Sequence, residues 1–269
     1  MKKILFLTFV VFSFYLSGCM ESKKATSSAI SFADNIVVAH RGAWKKNHLP
    51  ENSIASLREA VRIGCSGTEF DVHLTADDTL IVNHNRDYAG LMIEKSTYAQ
   101  LAATKLSNGE TIPTVYEYLT EGIKQKTTML VLELKPSIIG KERGRQLAEK
   151  VIAQVRQLKA DRWMMYISFD LDILKRILEL EPNAKVAYLN GELSPAQLAP
   201  DKIWGIDYHY NVFRKNTGWI AEAKKLGINL NVWTVNDAAD MQWFIDQKFD
   251  YITTDEPELL FELIDKKGK

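Results

Sequence analysis

The chain has 269 residues, 46% hydrophobic and 10% aromatic, with 34 lysines and arginines against 34 aspartates and glutamates. This composition indicates a folded globular protein and excludes a disordered one, and zero net charge excludes a generally basic nucleic-acid-binding surface. Two cysteines exclude a disulfide framework, and the length fits one large α/β domain or two small ones.

The N-terminus has the parts of a secretory signal. Two lysines precede an apolar run over residues 4–16, which is shorter than the roughly 20 residues that span a bilayer. The run ends in Leu16-Ser17-Gly18-Cys19, which resembles a bacterial lipobox. The resemblance implies cleavage before Cys19, acylation of that residue, and an exported lipoprotein held on the periplasmic or cell-surface side of a membrane. The alternative is an ordinary signal peptide in which the cysteine is incidental.

We therefore divide the chain into three parts: residues 1–18 as signal peptide, 19–33 as tether, and 34–269 as folded domain. The tether is predicted to be flexible because its residues are small, polar and without apolar periodicity. The second cysteine, Cys65, is predicted to be a buried small apolar residue without chemical reactivity.

Short apolar runs alternate with amphipathic stretches along the domain, as expected for parallel strands that are buried on both faces and joined by helices. The predicted strands are Asn35–Ala39, Gly67–Val72, Met129–Leu134, Met164–Ser168, Ala184–Leu189, Ile203–Asp207, Asn229–Thr234 and Tyr251–Thr254. The predicted helices are Ser53–Ile63, Arg143–Gln157, Asp170–Leu180, Thr217–Leu226, Asp237–Gln247 and Glu256–Ile264, the last capped by Asp255.

Eight such strand–helix units predict an α/β fold of the (β/α)₈ TIM-barrel type. The alternative is a doubly wound sheet, which is disfavoured because no glycine-rich phosphate-binding loop follows a predicted strand. The second strand has an irregular continuation: Val72–Thr75, a turn at Ala76–Thr79, and a returning strand at Leu80–Val82. This pattern predicts a small hairpin insertion after the second strand.

Charged and polar residues cluster where the predicted strands end, which in a barrel is the face that carries the chemistry. Singly, each has an ordinary structural explanation, such as a salt bridge, a helix cap or, for Trp233, a place in the core. Together they are too costly to bury without a ligand. The residues at these ends include His40, Arg41, Glu69, Asp71, His84, Glu133, Lys135 and Trp233.

The residue types indicate a phosphate chemistry. Three carboxylates, Glu69, Asp71 and Glu133, without cysteine or paired-histidine ligands suit Mg²⁺ or Ca²⁺ better than zinc. Arg41 and Lys135 remain to balance an anion, and two histidines can act as general acid and base near neutral pH. This combination predicts hydrolysis of a phosphate ester.

Seven short segments lie between about residues 39 and 257: His40-Arg41-Gly42, Pro50-Glu51-Asn52-Ser53, Glu69-Phe70-Asp71-Val72, Val82-Asn83-His84, Glu133-Leu134-Lys135, Val232-Trp233-Thr234-Val235-Asn236 and Thr253-Thr254-Asp255-Glu256-Pro257. In order and spacing they resemble the motifs of the glycerophosphodiester phosphodiesterase family. The resemblance agrees with a barrel that has an insertion after its second strand.

The resemblance also implies the roles of individual residues. Glu69, Asp71 and Glu133 are expected to bind the divalent ion, and His40 and His84 to form the acid–base pair. The expected substrate-binding residues are Arg41, Lys135, Glu51, Asn52 and Trp233. The implied reaction releases sn-glycerol 3-phosphate and an alcohol, with the glycerol hydroxyl of the substrate as the attacking group.

Two features extend or qualify this prediction. Asn85 stands where the family usually has an aspartate, directly after the second histidine. The segment Asp207–Tyr210, after the sixth strand, is expected to line the mouth of the barrel. Two alternative functions remain: a phosphodiesterase acting on a lysophospholipid or a glycerol-phosphate polymer, and a non-catalytic solute-binding lipoprotein.

Overall fold

The computed structural model describes Met1 and residues 29–267 of the chain. Its strands are β1 (Val37–Ala39), β2 (Gly67–Leu74), β3 (Leu80–Val82), β4 (Asp87–Tyr88), β5 (Leu91–Met92), β6 (Met129–Leu134), β7 (Met164–Ser168), β8 (Val186–Tyr188), β9 (Gly205–His209), β10 (Asn229–Trp233) and β11 (Tyr251–Thr254). Its α-helices are α1 (Ile54–Arg62), α2 (Tyr98–Leu101), α3 (Val115–Gly122), α4 (Lys141–Leu158), α5 (Leu171–Leu180), α6 (Pro195–Leu198), α7 (Tyr210–Lys215), α8 (Gly218–Leu226), α9 (Ala238–Asp246) and α10 (Pro257–Lys267).

Eight parallel strands close into a barrel, which confirms the predicted fold. The order is β1-β11-β10-β9-β8-β7-β6-β2, and the pairing of β1 with β2 completes the ring. Every predicted strand is present, with ends within about two residues of the expected ones. A doubly wound sheet is open, whereas here β1 and β2 pair with each other and close the sheet, so the doubly wound alternative is wrong.

Alternate side chains along each strand enter two separate apolar regions, as the two-residue period of a strand requires. One set faces the surrounding helices and forms the larger core. The other fills the barrel interior and comprises Val38, Met129, Val131, Met165, Ile167, Ala187 and Leu189. This apolar interior supports the polar side chains at the carboxyl ends of the strands.

The predicted hairpin insertion is confirmed. β2 runs on to Leu74 and pairs antiparallel with β3, with Val72 opposite Val82 and Leu74 opposite Leu80. The β4–β5 hairpin and α2 follow, and a small apolar cluster holds this insertion together: Ile81, Ile93, Leu101 and Ile112. The insertion fixes the loop that carries His84.

The folded part begins slightly before the predicted boundary at Asp34. The backbone N–H groups of Ser31 and Ala33 donate to the carbonyls of Lys126 and Thr127, and Phe32 packs against the apolar barrel interior. Residues 31–33, at the end of the predicted tether, therefore contact the folded domain. Cys19 lies outside the described residues.

Two further observations concern export and cysteine chemistry. Within residues 29–267, no helix has both the length and the apolar character needed to cross a membrane.

Cys65 is fully buried, as predicted, and burial raises the pKa of its thiol well above the usual value. A thiol that stays protonated is a poor nucleophile, which fits a packing role.

Candidate active site

A cavity of about 100 Å³ opens at the carboxyl ends of the barrel strands. The structure brings seven of the predicted site residues to its walls: His40, Arg41, Glu69, His84, Glu133, Lys135 and Trp233. Asp71, Asn52 and Glu51 lie behind this wall and contact the residues that form it. The surface groove between α1 and α3 is larger, but it contains none of these residues.

The three carboxylates converge because of strand register. Glu69 and Asp71 are two residues apart on β2 and therefore share a face, and Asp71 lies directly opposite Glu133 of β6. One oxygen from each can be chosen so that all three lie within 4.8 Å of one another. All three residues are buried.

One lysine is close to this group of acids. Lys135 Nζ lies 2.8 Å from both Asp71 Oδ1 and Glu133 Oε1 and forms an ion pair with each. Burial opposes ionisation of Asp71, but Lys135, His84 and the hydrogen bond from Asn52 together outweigh it, and the pKa of Asp71 lies well below its usual value. Burial and the negative Asp71 raise the pKa of Glu133 to about 7, and the same two causes raise that of Glu69.

The pKa values of Glu69 and Glu133 are raised because burial and the neighbouring carboxylates oppose ionisation more than Lys135 favours it. Glu69 Oε2 accepts a hydrogen bond from the backbone N–H of Arg41 at 2.9 Å, whereas its buried Oε1 has no hydrogen-bond partner. A hard divalent cation prefers oxygen ligands and would supply both the missing charge and the missing contact. Glu69, Asp71 and Glu133 thus fit a site for such an ion.

The loop that carries Arg41 has a constrained backbone. Arg41 and Asn52 both have left-handed φ angles, 58° and 57°, and Asn52 N–H donates to the Arg41 carbonyl at 2.9 Å. Such angles are uncommon outside glycine and are found where the surrounding structure enforces them. Here they direct the Arg41 N–H at Glu69 and allow the Arg41 side chain to reach the cavity.

Glu51 and Asn52 contact other site residues instead of lining the cavity. Glu51 Oε2 accepts from Arg41 Nη1 at 2.8 Å. Asn52 uses both ends of its amide on Asp71: Nδ2 donates to the carboxylate at 2.8 Å, and Oδ1 accepts from the backbone N–H at 3.1 Å. These contacts suit residues that position Arg41 and Asp71.

The two histidines are held through the same ring nitrogen by different partners. His40 Nδ1 lies 2.7 Å from Asp255 Oδ1, and His84 Nδ1 lies 3.0 Å from the amide oxygen of Asn85. Burial lowers the pKa of His84, which favours its neutral form. In the described part of the chain neither Nε2 atom has a protein hydrogen-bond partner, so both are available for proton transfer.

Asp255 is the main site residue that the sequence analysis misassigned. It was expected to cap α10, but its carboxylate contacts His40 and accepts from Asn236 Nδ2 at 2.8 Å. A carboxylate that follows a strand and precedes a helix looks the same in sequence whichever role it has.

Aromatic rings form one side of the cavity. Trp233 is half-buried at the cavity wall, where its Nε1 donates to the carbonyl of Asp207 at 2.9 Å. Phe169 and His209 pack edge-on against it, with ring centroids 5.5 and 5.1 Å away. The expectation that Asp207–Tyr210 lines the mouth is confirmed for Asp207, which is also a cavity residue.

In a comparison with known protein families, residues 40–259 match the model of the glycerophosphoryl diester phosphodiesterase family. The chain belongs to this family. It is therefore an enzyme of the phosphodiesterase class, and the non-catalytic alternative is wrong.

Individual relatives cover nearly the whole chain. A glycerophosphodiester phosphodiesterase of Caldanaerobacter subterraneus is 30% identical over 87% of this chain and 99% of its own length. The crystal structure of one from Parabacteroides distasonis is 41% identical, with a TM-score of 0.85, over 89% of this chain and all of that one. A phosphodiesterase of Oleispira antarctica, solved with its product sn-glycerol-3-phosphate, is 24% identical with a TM-score of 0.73 over 86% and 97% of the two chains, and supports the fold.

Proposed function

We propose that this phosphodiesterase hydrolyses glycerophosphodiesters to sn-glycerol 3-phosphate and an alcohol, with His40 and His84 as the acid–base pair. The observation that carries the proposal is the single cavity that holds both histidines, Arg41, Lys135 and two of the three buried carboxylates. The product-bound relative from Oleispira antarctica is consistent with this substrate class.

Substrate binding follows from charge. The phosphodiester carries one negative charge, and Arg41 and Lys135 present the cations of the cavity wall. The guanidinium of Arg41 is oriented by Glu51, and Lys135 is fixed beside Asp71 and Glu133. These contacts hold the two cations in place before the substrate arrives, which lowers the cost of stabilising charge on the phosphate oxygens.

The different partners of the two histidines support one direction of proton transfer. His84 is held by the uncharged Asn85 and is predominantly neutral, so it can accept the proton of the glycerol hydroxyl that attacks phosphorus. His40 has the carboxylate of Asp255 as counter-ion, so it can carry a proton to the leaving alcohol. The P–O bond to the alcohol breaks as the new P–O bond forms a cyclic phosphate. Water then opens the ring, with the two histidines exchanging roles.

A divalent ion, Mg²⁺ or Ca²⁺, would be held by Glu69, Asp71 and Glu133. When bound, it neutralises charge that develops on phosphate oxygens. The protein itself supplies the intramolecular arrangement: a substrate whose own hydroxyl attacks phosphorus needs no serine or cysteine nucleophile and loses little entropy in the reaction.

Replacement of each histidine tests the assignment. His40→Ala and His84→Ala should each lower kcat for glycerophosphocholine by about 10²-fold or more, while the thermal unfolding temperature is retained. His48→Asn is the matched control, because His48 is exposed and its left-handed φ of 51° is tolerated by asparagine. Parent-like rates in both alanine variants would disprove the acid–base assignment.

We also propose that the enzyme is an exported lipoprotein anchored to a membrane through acylated Cys19, with residues 1–18 removed. The support is the lipobox-like sequence before Cys19. Cys19→Ala should move the enzyme from the membrane fraction to the soluble fraction with its specific activity retained. Cys65→Ala, the other cysteine of the chain, should leave it on the membrane. Membrane retention of Cys19→Ala would contradict the anchor.

A further inference from the structure

Two buried polar side chains of the barrel interior have atoms without hydrogen-bond partners. Asp207 is 2% exposed and Asn231 is 1% exposed. Within the described residues, Asp207 Oδ1, Asn231 Oδ1 and Asn231 Nδ2 have no hydrogen-bond partner. Leaving a buried polar group unsatisfied costs about 1–3 kcal/mol, so these atoms call for a ligand or for bound water.

Strand register places the two side chains side by side. Asn231 of β10 lies directly opposite Asp207 of β9 in their parallel pairing. Their sequence neighbours Ile206, Tyr208, Leu230 and Val232 belong to the outer core, so Asp207 and Asn231 face the barrel interior. Asp207 lines the same cavity as His40, His84 and Lys135.

The pair is suited to an uncharged polar group. Burial, followed by the negative charge of Glu133, raises the pKa of Asp207 to about 8, so at neutral pH its carboxyl can both donate and accept. Asn231 has the same two capabilities without charge. Asp207 is outside the carboxylate group that could hold a metal ion, and Ile167, Leu189 and Trp233 add apolar surface to the wall. A hydroxyl on a short carbon chain matches this environment.

We propose that Asp207 and Asn231 bind the terminal hydroxyl of the substrate's glycerol, the one that does not attack phosphorus, and thereby select glycerol diesters. The inference rests on the proposed function. It assigns the specificity of the reaction to residues outside the recognised motifs. The cavity of about 100 Å³ leaves room for a small polyol, while the alcohol on the other side of phosphorus extends towards the open mouth.

A pair of substrates tests this directly. Glycerophosphocholine and 2-hydroxypropyl phosphocholine share the phosphate, the choline and the attacking hydroxyl, and differ only in the terminal hydroxyl. The wild-type enzyme should favour glycerophosphocholine by about 10- to 100-fold in kcat/KM, since the analogue leaves Asp207 and Asn231 unpaired. Equal kcat/KM values for the two substrates would overturn the inference and leave the proposed function standing.

Variants localise the effect. Asp207→Leu and Asn231→Leu should lower kcat/KM for glycerophosphocholine while that for the analogue stays unchanged or rises, so that the preference disappears. Asp207→Asn, which retains a donor and an acceptor, should keep part of it. Asn229→Leu is the matched control, because Asn229 has a buried unpartnered oxygen on the same strand but pairs with Gly205, far from the rim. It should retain the full preference.

Two outcomes separate the alternatives. If Asp207→Leu lowers kcat/KM for both substrates equally, the pair holds structural water and the inference is wrong. If the wild-type enzyme hydrolyses neither diester, the proposed function itself fails. Calorimetric titration with sn-glycerol 3-phosphate and 2-hydroxypropyl phosphate gives a readout independent of turnover: the wild-type protein should bind the former about 10-fold more tightly or better, and Asp207→Leu should bind both alike.

Discussion

His40 and Asp255 join the first and last strands of the barrel through a contact of 2.7 Å between Nδ1 and a carboxylate oxygen. Each residue directly follows its strand, and Ala39 lies opposite Thr254 in the pairing of β1 with β11. Asn236 fixes the carboxylate further, because its Nδ2 donates to Asp255 Oδ2 and its Oδ1 accepts from the Asp255 N–H. Barrel closure therefore sets the orientation of the His40 ring.

Asp255→Asn should lower kcat by about 10²-fold with little change in KM. The amide can still contact His40 but cannot balance its positive charge, so proton donation to the leaving alcohol is impaired. Burial opposes ionisation of Asp255, but the contacts with His40, Asn236 and Arg41 together outweigh it and lower the pKa of Asp255, which favours the charged carboxylate. Steady-state kinetics with glycerophosphocholine measure the effect.

The matched control is Asp250→Asn, at the opposite end of the same strand. Asp250 Oδ2 accepts from the Leu230 N–H at 2.8 Å, and asparagine can keep that bond. Its kcat should equal that of the wild type. If Asp255→Asn also keeps the wild-type kcat, His40 does not depend on a charged partner and the assignment of His40 as acid falls.

Asn85→Asp should move the acidic limb of the kcat/KM profile to higher pH by about one unit. A new carboxylate beside His84 Nδ1 stabilises the protonated ring and raises its pKa. A general base works only when it is deprotonated. As the pH falls, the variant should therefore lose activity at a higher pH than the wild type, whereas above this limb the two kcat/KM values should be equal.

Asn108→Asp adds the same charge on a distant exposed loop, where the side chain can still accept from Glu110 N–H. Its profile should coincide with that of the wild type. A limb that stays in place or moves to lower pH in Asn85→Asp would show that His84 is not the base.

The strands and most of the helices could be predicted because local sequence carries their pattern. Buried parallel strands are short apolar runs, and these runs mark all eight barrel strands. Of the helices missed, α3 has a sequence signal in the Thr114–Glu117 capping box, whereas α7 has six residues and is too short for a clear helical period.

The site residues could be predicted as a set but not their pairings. Glu69 and Asp71 share a strand face by their spacing alone. The contact of His40 with Asp255 spans 215 positions and depends on barrel closure, and the pairing of Asp207 with Asn231 depends on the register of β9 against β10. Contacts of this kind are set by tertiary structure and leave no local pattern.

Removal of divalent cations should abolish activity and lower thermal stability. Burial and neighbouring carboxylates raise the pKa values of Glu69 and Glu133, so Mg²⁺ or Ca²⁺ that binds only the folded state would offset this repulsion and stabilise that state. At 100 times Kd the gain is about 2.7 kcal/mol, or an increase in Tm of about 5–10 °C. With the pKa of Glu133 at about 7, cation binding at neutral pH should also release protons, and the affinity should rise with pH.

Glu69→Gln should lose the cation-dependent increase in Tm, because the site then has one ligand charge fewer. Glu121→Gln is the control: this acid pairs with Arg58 and Lys124 away from the site, so its response to Mg²⁺ should match that of the wild type. Activity and Tm that are both insensitive to EDTA would remove the metal ion from the proposed reaction.

Gly42→Ala should destabilise the enzyme and lower kcat. Gly64→Ala is the control that separates the cost of the left-handed backbone from the cost of a steric clash. Both glycines have a φ of 82°, so both variants include the cost of a left-handed alanine, roughly 1–2 kcal/mol. A Cβ at Gly42 would lie 2.4 Å from Ser56 Oγ and 2.6 Å from the Ser56 carbonyl carbon, whereas a Cβ at Gly64 meets nothing within 4 Å. Urea unfolding should therefore show a larger decrease in the free energy of unfolding for Gly42→Ala than for Gly64→Ala.

Only Gly42→Ala should lower kcat, because relief of the clash displaces the adjacent Arg41 N–H from Glu69. Equal losses of stability in the two variants would show that the loop has room for the methyl group and does not fix Arg41.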